Sequence, residues 1–393
     1  MSLPLTLALI AGTGIALRWL ASRIGLPVAV GYLLGGMILG PLGIGIITRV
    51  HLDELVPVTT VVSSFILFMV GRELDVAKIK SEGSAPALTA LAESMTTFIA
   101  VSIAAYLVTD SPAISLILGV TAIPTAPATV AMILHQYTPR GPLTKLIRST
   151  VALDDVVATA VGAAVMAITG WTILGGNGHA NLGLLNVIPV LAAGGLAGAF
   201  LSIALRRFRG YGHRSGLIIG TVLSLLALWN ISYLAPPMAA LVAGGVLVNR
   251  LRYSRAFWHK FEEFLDLIYL MFFVYLGAHV EPSLVLGAPA LVGAYIVARL
   301  LGKGLGATLG CACSRLSPTM GTYVGMALMP QGTLSIILAA MAERFSPLAP
   351  GLLLNIVLAS TLAFEILGPF GITLALGHYH ETHDINRRFR VRP

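Results

Sequence analysis

The 393-residue chain is too apolar for a soluble protein, because 56% of its residues are hydrophobic and only 11% are charged. Soluble domains carry about 25% charged residues, so the composition indicates an all-α polytopic membrane protein. The formal net charge of +8 fits the Lys and Arg that collect in cytoplasmic loops, and no basic segment interleaved with aromatic residues indicates nucleic-acid binding. Cys311 and Cys313 make a poor metal site without a nearby His. No cofactor is expected.

About thirteen apolar stretches are predicted to cross the bilayer, which takes about 20 residues in a helix. No basic residue precedes Arg18, so the first stretch is predicted to be a span and not a cleaved signal peptide. The predicted spans are residues 4–20, 28–48, 55–71, 84–108, 112–136, 143–169, 184–205, 215–233, 236–249, 262–279, 283–314, 318–342 and 348–377.

The distribution of basic residues predicts the orientation. With the N-terminus outside, all but four of the 25 Lys and Arg residues fall in cytoplasmic loops, at cytoplasmic span ends or in a short basic tail, residues 378–393. Arg49 and Arg344 lie outside, and Arg299 and Lys303 lie within a span. Because cytoplasmic loops are enriched in Lys and Arg, we predict a multi-pass cell-membrane protein with a cytoplasmic C-terminus.

The two halves of the chain share a pattern of Gly and Pro. Pro27 and Pro236 each precede a Gly-Gly pair by eight residues, and Pro124 and Pro330 each follow a span-ending glycine by 53 residues. These offsets predict one repeat over about residues 24–170 (spans 2–6) and another over about 234–378 (spans 9–13). Corresponding spans are seven apart and cross in opposite directions, so the repeats are inverted, as in many secondary transporters.

Each repeat contains a span interrupted by proline, which removes a backbone donor. Bare backbone groups are tolerated at membrane depth only where they face protein or a water-filled cavity. A single such span would indicate only a kink for packing. The matched pair, flanked by Thr121, Thr125 and Thr129, predicts two broken helices that cross at a midplane ion site. The predicted crossing consists of Pro124, Ala126, Pro127, Pro330, Gln331, Gly332 and Thr333.

Six ionisable residues are predicted inside spans, where a charge costs about 2.5–3.5 kcal/mol. They are Glu93, Asp154, Asp155, Arg299, Lys303 and Glu365. Two bases can neutralise at most two of the four acids, which leaves two carboxylates for protons or metal cations.

Asp154 and Asp155 are adjacent on one helix and point about 100° apart. One can therefore face a cationic partner while the other faces a cavity. Two like charges so close resist joint ionisation, so the pair can exchange a proton for a hard cation, which prefers oxygen ligands. Threonine hydroxyls and the freed carbonyls of a broken helix are predicted to complete the ligand set.

Arg299 and Lys303 are four residues apart and share one helix face. A buried lysine titrates readily whereas arginine stays charged, so Lys303 is the predicted participant in proton exchange. Arg299 is predicted to have a fixed partner, Glu365 or Glu93. Whether these accessory charges are structural or functional is left open by the sequence.

Five segments resemble the cation:proton antiporter superfamily: ALDDVV, LLGKGLG, PVAVGYLLGGMILGPLG, FILFMVGREL and MALMPQGTLSIILAA. The resemblance covers nearly the whole chain and is closest to the second branch, the thirteen-span bacterial sodium:proton antiporters. It implies the fold of that family, with a six-helix core moving against a dimerisation domain in an inner-membrane homodimer.

The resemblance also implies roles for individual residues. Asp155 would be the main carboxylate that exchanges Na⁺ (or Li⁺) for H⁺, and Asp154 would pair with Lys303 until the cation binds. Thr125 would lie at the crossing. The double aspartate resembles that of electrogenic members, which move two protons per cation.

Several positions depart from the family pattern. Gln331-Gly332-Thr333 stands where many relatives carry Arg-Gly-Glu, and Tyr32 stands where glutamate is frequent. Glu93 and Arg299 occur where close relatives are apolar. These differences leave the cation preference open.

Three alternatives to sodium:proton exchange make different demands on the sequence. A potassium:proton exchanger of the same branch fits the same residues, although no G-x-G-x-x-G nucleotide motif follows the last span. An intramembrane aspartyl protease needs two carboxylates facing each other from different helices, whereas adjacent aspartates diverge. A channel is disfavoured because titratable pairs and inverted repeats favour alternating access. The tail histidines, His378, His380 and His383, are candidate pH sensors, although such residues are more often solvated and without a role.

Overall fold

The computed structural model describes residues 3–23, 28–41, 43–48, 56–72, 74–173, 184–208, 210–230, 235–251, 255–343, 351–379 and 381. Within these ranges the regular elements are helices, and only an isolated antiparallel bridge between Thr125 and Gln331 pairs backbone in the manner of strands. The predicted basic tail beyond residue 381 lies outside the described residues, as do Pro27, Arg49 and Arg344.

The helices are α1 (Leu3–Arg23), α2 (Val28–Leu39), α3 (Val56–Arg72), α4 (Val76–Glu82), α5 (Ser84–Thr109), α6 (Pro112–Thr121), α7 (Pro127–Tyr137), α8 (Pro142–Ile173), α9 (Leu184–Arg207), α10 (Tyr211–Ser224), α11 (Ala235–Arg250), α12 (Arg255–Ala278), α13 (Pro282–Gly287), α14 (Pro289–Cys313), α15 (Pro318–Ala327), α16 (Thr333–Glu343) and α17 (Leu352–His378). A 3₁₀ segment, Leu225–Asn230, continues α10.

Four of the described helices are long and apolar enough to cross a membrane as unbroken spans: Ser84–Thr109, Ile188–Arg207, Pro289–Cys313 and Leu352–His378. Shorter apolar helices lie between them, and the predicted count of thirteen stays a prediction. Some predicted bounds differ. The span predicted at 28–48 ends as a helix at Leu39, where Gly40 and Pro41 follow, because proline cannot continue the hydrogen-bonded turn. The stretch 283–314 is divided at Ala288, between α13 and α14.

The outward side of α14 illustrates why this fold requires lipid. Val297, Leu301, Leu305 and Leu309 recur every four residues and are each more than half exposed. A stripe of large apolar side chains on one helix face is unfavourable in water and marks a surface that another apolar phase covers. The opposite face of the same helix carries buried glycines and the two buried bases.

The chain forms two compact units. The first comprises residues 1–75 and 170–282, in which α11 packs along α3 and α9, and α2 packs along α12. The second comprises residues 76–169 and 283–393, in which α14 packs along α5 and α15, and α17 contacts α15 and α16. The second unit takes three predicted spans from each proposed repeat. It contains the six charged residues that are buried in the described part of the chain. The repeats themselves stay a prediction.

Glycines hold α5 and α14 in close contact within the second unit. A Cβ at Gly302, Gly306 or Gly310 would lie 2.5–2.6 Å from a backbone Cα of α5. Non-bonded carbon atoms do not approach each other so closely. Small residues at four-residue intervals let helix backbones pack closely in membranes. This contact sets the register between Glu93 on α5 and Lys303 on α14.

Replacing Gly306 by alanine is expected to destabilise the protein by about 1–3 kcal/mol. The new Cβ would lie 2.6 Å from the Glu93 Cα and 2.9 Å from the Ala92 carbonyl oxygen, so two backbones must separate. Thermal unfolding of the purified protein in detergent measures the effect. The matched control is Gly304→Ala on the same helix, where a Cβ meets nothing within 4 Å. Equal melting temperatures for the two variants would contradict the close-packing interpretation.

Candidate ion-binding site

Two helices of the second unit are interrupted where the sequence predicts. The first break separates α6, which ends at Thr121, from α7, which begins at Pro127; the second separates α15 from α16. The two extended segments pair with each other: the Ala126 amide donates to the Pro330 carbonyl at 3.0 Å, and the Gly332 amide donates to the Pro124 carbonyl at 3.2 Å. A Cβ at Gly332 would lie 2.8 Å from the Thr125 carbonyl oxygen, so this pairing requires glycine.

Arg299 lies at the centre of the crossing and is fully buried. Its guanidinium donates to four carbonyl oxygens, two from each break: Ala122 at 3.0 Å, Pro124 at 3.1 Å, Met329 at 2.6 Å and Pro330 at 3.4 Å. The Phe364 ring covers the guanidinium, with its centroid 4.5 Å from Cζ. Arginine offers five N–H donors in a fixed fork, so one side chain can donate to four of the carbonyls at the two interruptions.

The prediction that Arg299 pairs with Glu365 or Glu93 is therefore wrong. Glu93 instead forms an ion pair with Lys303, and Glu365 accepts a hydrogen bond from Thr129 at 2.7 Å. The expectation that the freed carbonyls serve as cation ligands stays a prediction. Arg299 occupies four of them, and Lys303 donates to a fifth, the Ile123 carbonyl. Carbonyls freed by the breaks need hydrogen-bond donors in a site without water, and the basic side chains of Arg299 and Lys303 supply them.

Asp154 is fully buried and accepts three hydrogen bonds. Ser94 donates to Oδ1 at 2.7 Å, and Thr125 and Lys303 donate to Oδ2 at 2.6 and 2.9 Å. Both carboxylate oxygens are thus occupied. A cation that binds at Asp154 Oδ2 competes with Lys303 and Thr125 for that oxygen.

Lys303 has further partners besides Asp154, the one that the family resemblance implies. Its Nζ lies 2.9 Å from Asp154 Oδ2 and 2.7 Å from Glu93 Oε1, and all three side chains have 0% exposure. It also donates to the Thr125 hydroxyl at 2.9 Å. The structure therefore places Glu93, Thr125, Asp154 and Lys303 in one cluster, which we call the lysine cluster.

Asp155 follows Asp154 on α8 and is 5% exposed. Its carbonyl accepts a hydrogen bond from the Thr159 hydroxyl at 2.7 Å, and α8 continues beyond the aspartate pair to Ile173. Successive helix residues diverge by about 100°. The carboxyl group of Asp155 therefore points in a different direction from that of Asp154, which belongs to the lysine cluster.

The charges match the dipoles of the broken helices. The C-terminal ends of α6 and α15 carry partial negative charge, and the two bases donate to the carbonyls that follow these ends. The N-terminal end of α7 carries partial positive charge, and its first-turn Thr129 contacts the carboxylate of Glu365. Cations at helix C-termini and an anion at an N-terminus are both favourable placements.

Several site residues were not found from the sequence. Ser94 donates to Asp154, and Tyr295 receives a 2.8 Å hydrogen bond from the Gln331 amide. Ser360 donates to the side-chain oxygen of Gln331, Oε1, at 2.7 Å, so Gln331 takes part in a network of neutral groups. The spacing holds a signal for one of them: Tyr295, Arg299 and Lys303 recur every four residues and so share one face of α14.

This arrangement defines a class of protein. Helices with lipid-facing apolar surfaces enclose two broken helices, and buried acids and bases meet at their crossing. Such a crossing at membrane depth is a feature of secondary transporters.

Comparison with known proteins narrows the class to a family. The family model described as sodium/hydrogen exchanger, transmembrane, matches residues 5–376. The chain belongs to this family; it is a multi-pass membrane transporter, a cation:proton antiporter and not an enzyme.

Solved structures agree with this fold. The sodium proton antiporter MjNhaP1 from Methanocaldococcus jannaschii at pH 8 is similar with a TM-score of 0.73 and 18% identity, over 94% of this chain and 97% of that chain. An electron-microscopy structure of the same antiporter gives a TM-score of 0.60 and 16% identity over the full length of both chains. Comparison with curated protein sequences gives no significant match.

Proposed function

We propose that the protein exchanges Na⁺ or Li⁺ for protons by alternating access, with two protons moved per cation. The observation that carries this proposal is the lysine cluster, in which Lys303 occupies the carboxylate that a cation needs. Asp155, next to it, would be the carboxylate at which proton and cation compete. The antiporter MjNhaP1, whose fold is similar, is described as a sodium proton antiporter, which favours sodium over potassium.

Coupling follows from exclusive occupation of the same oxygens. In the cation-free state, Lys303 bonds to Asp154 Oδ2 and Asp155 holds a proton. A cation that binds between the two aspartates must displace the lysine and the Asp155 proton. Because neither set of partners can coexist with the other, the cation crosses in one direction and protons cross in the other.

The count of buried charges supports two protons per cation. The second unit buries four acids, Glu93, Asp154, Asp155 and Glu365, against the two bases Arg299 and Lys303. Two protons make this set neutral, and each net charge left in the membrane is costly. One monovalent cation in place of two protons leaves a net charge of −1, so the exchange would be electrogenic.

The assembly and orientation belong to the same proposal. The Lys and Arg distribution supports an external N-terminus and a cytoplasmic C-terminus in the cell membrane. The family resemblance supports a homodimer, in which the second unit is the mobile core and the inverted repeats supply its two halves.

Purified protein in proteoliposomes is expected to dissipate a pH gradient when Na⁺ or Li⁺ is added, but not when K⁺ is added. An imposed membrane potential should change the rate, because two protons for one cation move net charge. A pH-sensitive dye in the lumen measures both effects, with protein-free liposomes as the control. A response to K⁺ alone would assign the protein to the potassium:proton exchangers, and exchange that ignores the potential would contradict the proposed stoichiometry.

A further inference from the structure

Glu93 is a buried acid to which the proposed exchange assigns no individual role. It lies in the middle of α5, fully buried, and its Oε1 is 2.7 Å from Lys303 Nζ. This distance is shorter than the 2.9 Å between Lys303 and Asp154. Lys303 therefore bridges two carboxylates, one on α5 and one on α8.

The donors of Lys303 are too few for its acceptors. An ammonium group has three N–H donors, whereas four oxygens surround Nζ: Ile123 O, Thr125 Oγ1, Asp154 Oδ2 and Glu93 Oε1. Lys303 can therefore donate to only three of the four oxygens at once, and if both carboxylates were ionised the three side chains would carry a net charge of −1. A buried, uncompensated charge of this kind is strongly unfavourable. One added proton removes it.

The surroundings decide which carboxylate holds that proton. Asp154 is a well-supported anion, because Ser94 and Thr125 donate to it in addition to Lys303. Glu93 has one further donor, Thr97, at 3.2 Å to Oε1, and its Oε2 is buried with no hydrogen-bond partner among the described residues. The proton therefore belongs on Glu93.

We propose that Glu93 is the second proton carrier of the exchange, together with Asp155. In the cation-free state Glu93 is protonated and Lys303 is bonded to the ionised Asp154. When a cation displaces Lys303 from Asp154, the ammonium keeps its three protons and pairs with Glu93. Glu93 then releases its O–H proton to water on the open side of the membrane. The lysine moves between two carboxylates and never has to lose its charge.

The charged groups that face Glu93 are consistent with this exchange of partners. α14 contributes Lys303 and Arg299, and α8 contributes Asp154; α6, which also packs against α5, has no ionisable side chain. The short α4 precedes α5 by one residue and so lies about 13 Å along the axis from Glu93. Arg299 is held by four carbonyls, so Lys303 is the base that can change partners.

The inference rests on the proposed function, and counting the protons released by the purified protein tests it. Cation is added to detergent-solubilised protein in weak buffer; a pH-sensitive dye counts the protons and a radioactive cation counts the bound ions. The wild type is expected to release two protons per cation, and Glu93→Gln one. Glu93→Asp should restore two. Lys303→Arg should also release two, because arginine does not deprotonate and the carrier is Glu93.

Proteoliposome transport gives an independent readout. Glu93→Gln should still exchange cations for protons, but at a rate that no longer depends on the membrane potential. Asp110→Asn, an exposed acid between α5 and α6, is the matched control. Two protons released by Glu93→Gln, or one by Lys303→Arg, would overturn the role of Glu93 and leave the exchange intact. A wild type that releases no proton would refute the exchange itself.

Discussion

Replacing Asp155 by asparagine is expected to reduce cation:proton exchange to the rate of protein-free liposomes. Asparagine keeps the size of the side chain but carries neither a negative charge for the cation nor a titratable proton. In the proposed exchange the neighbouring Asp154 cannot substitute, because it serves as the ionised partner of Lys303. The collapse of a pH gradient on addition of Na⁺ or Li⁺ measures the loss.

Asp110→Asn provides the matched control for this substitution. Asp110 is exposed and adopts a left-handed backbone conformation with φ 53°, which asparagine also tolerates. This variant should exchange cations at the wild-type rate. Wild-type exchange by Asp155→Asn would remove Asp155 from the transport mechanism.

Replacing Arg299 by methionine is expected to produce the largest loss of stability, on the order of 3–5 kcal/mol. The substitution removes a donor from four buried carbonyls, two in each broken helix. Pro124 and Pro330 keep a backbone amide donor, whereas the carbonyls of Ala122 and Met329 lose the guanidinium that binds them. Without this shared donor, each segment must find other partners, and the pairing of Thr125 with Gln331 is expected to loosen. Thermal unfolding in detergent measures the loss, and transport should fall with it.

Two further variants separate the role of the guanidinium from that of its charge. Arg299→Lys keeps the charge but offers three donors from a single point, so an intermediate melting temperature is expected. Arg148→Met removes an exposed arginine on α8 and should leave stability nearly unchanged. If Arg299→Met has the same melting temperature as the Arg148→Met control, the carbonyl contacts do not stabilise the crossing.

Much of the fold follows from composition and from proline spacing. The membrane class is evident from the scarcity of charge, and the helices are interrupted at Pro124 and Pro330 because proline cannot donate within a helix. The contact between Asp154 and Lys303 was expected only from the family resemblance; its role in transport stays a prediction. Spacing along the chain cannot reveal it, since the two residues lie on separate helices.

The partners of the remaining charges could not be predicted from the sequence. The expected partner of Arg299 was a carboxylate, because charge pairing is the simplest way to bury a base. Arg299 instead contacts backbone carbonyls, which every type of residue carries, so no pattern of side chains in the sequence could indicate them. Glu93 reaches Lys303 because glycines bring α5 and α14 together, and this rotational register between two helices is not encoded in either helix alone.

The opposed faces of α14 restrict how this helix can move. One face carries Leu301 and Leu305 toward the outside, and the other carries Tyr295, Arg299 and Lys303 into the core. Turning α14 about its long axis would bring two cations into the hydrocarbon, at about 2.5–3.5 kcal/mol each. Tilting or sliding therefore remains the only inexpensive displacement. Since Arg299 is bonded to both interrupted helices, a sliding α14 must take the two half-helix pairs with it as one rigid body.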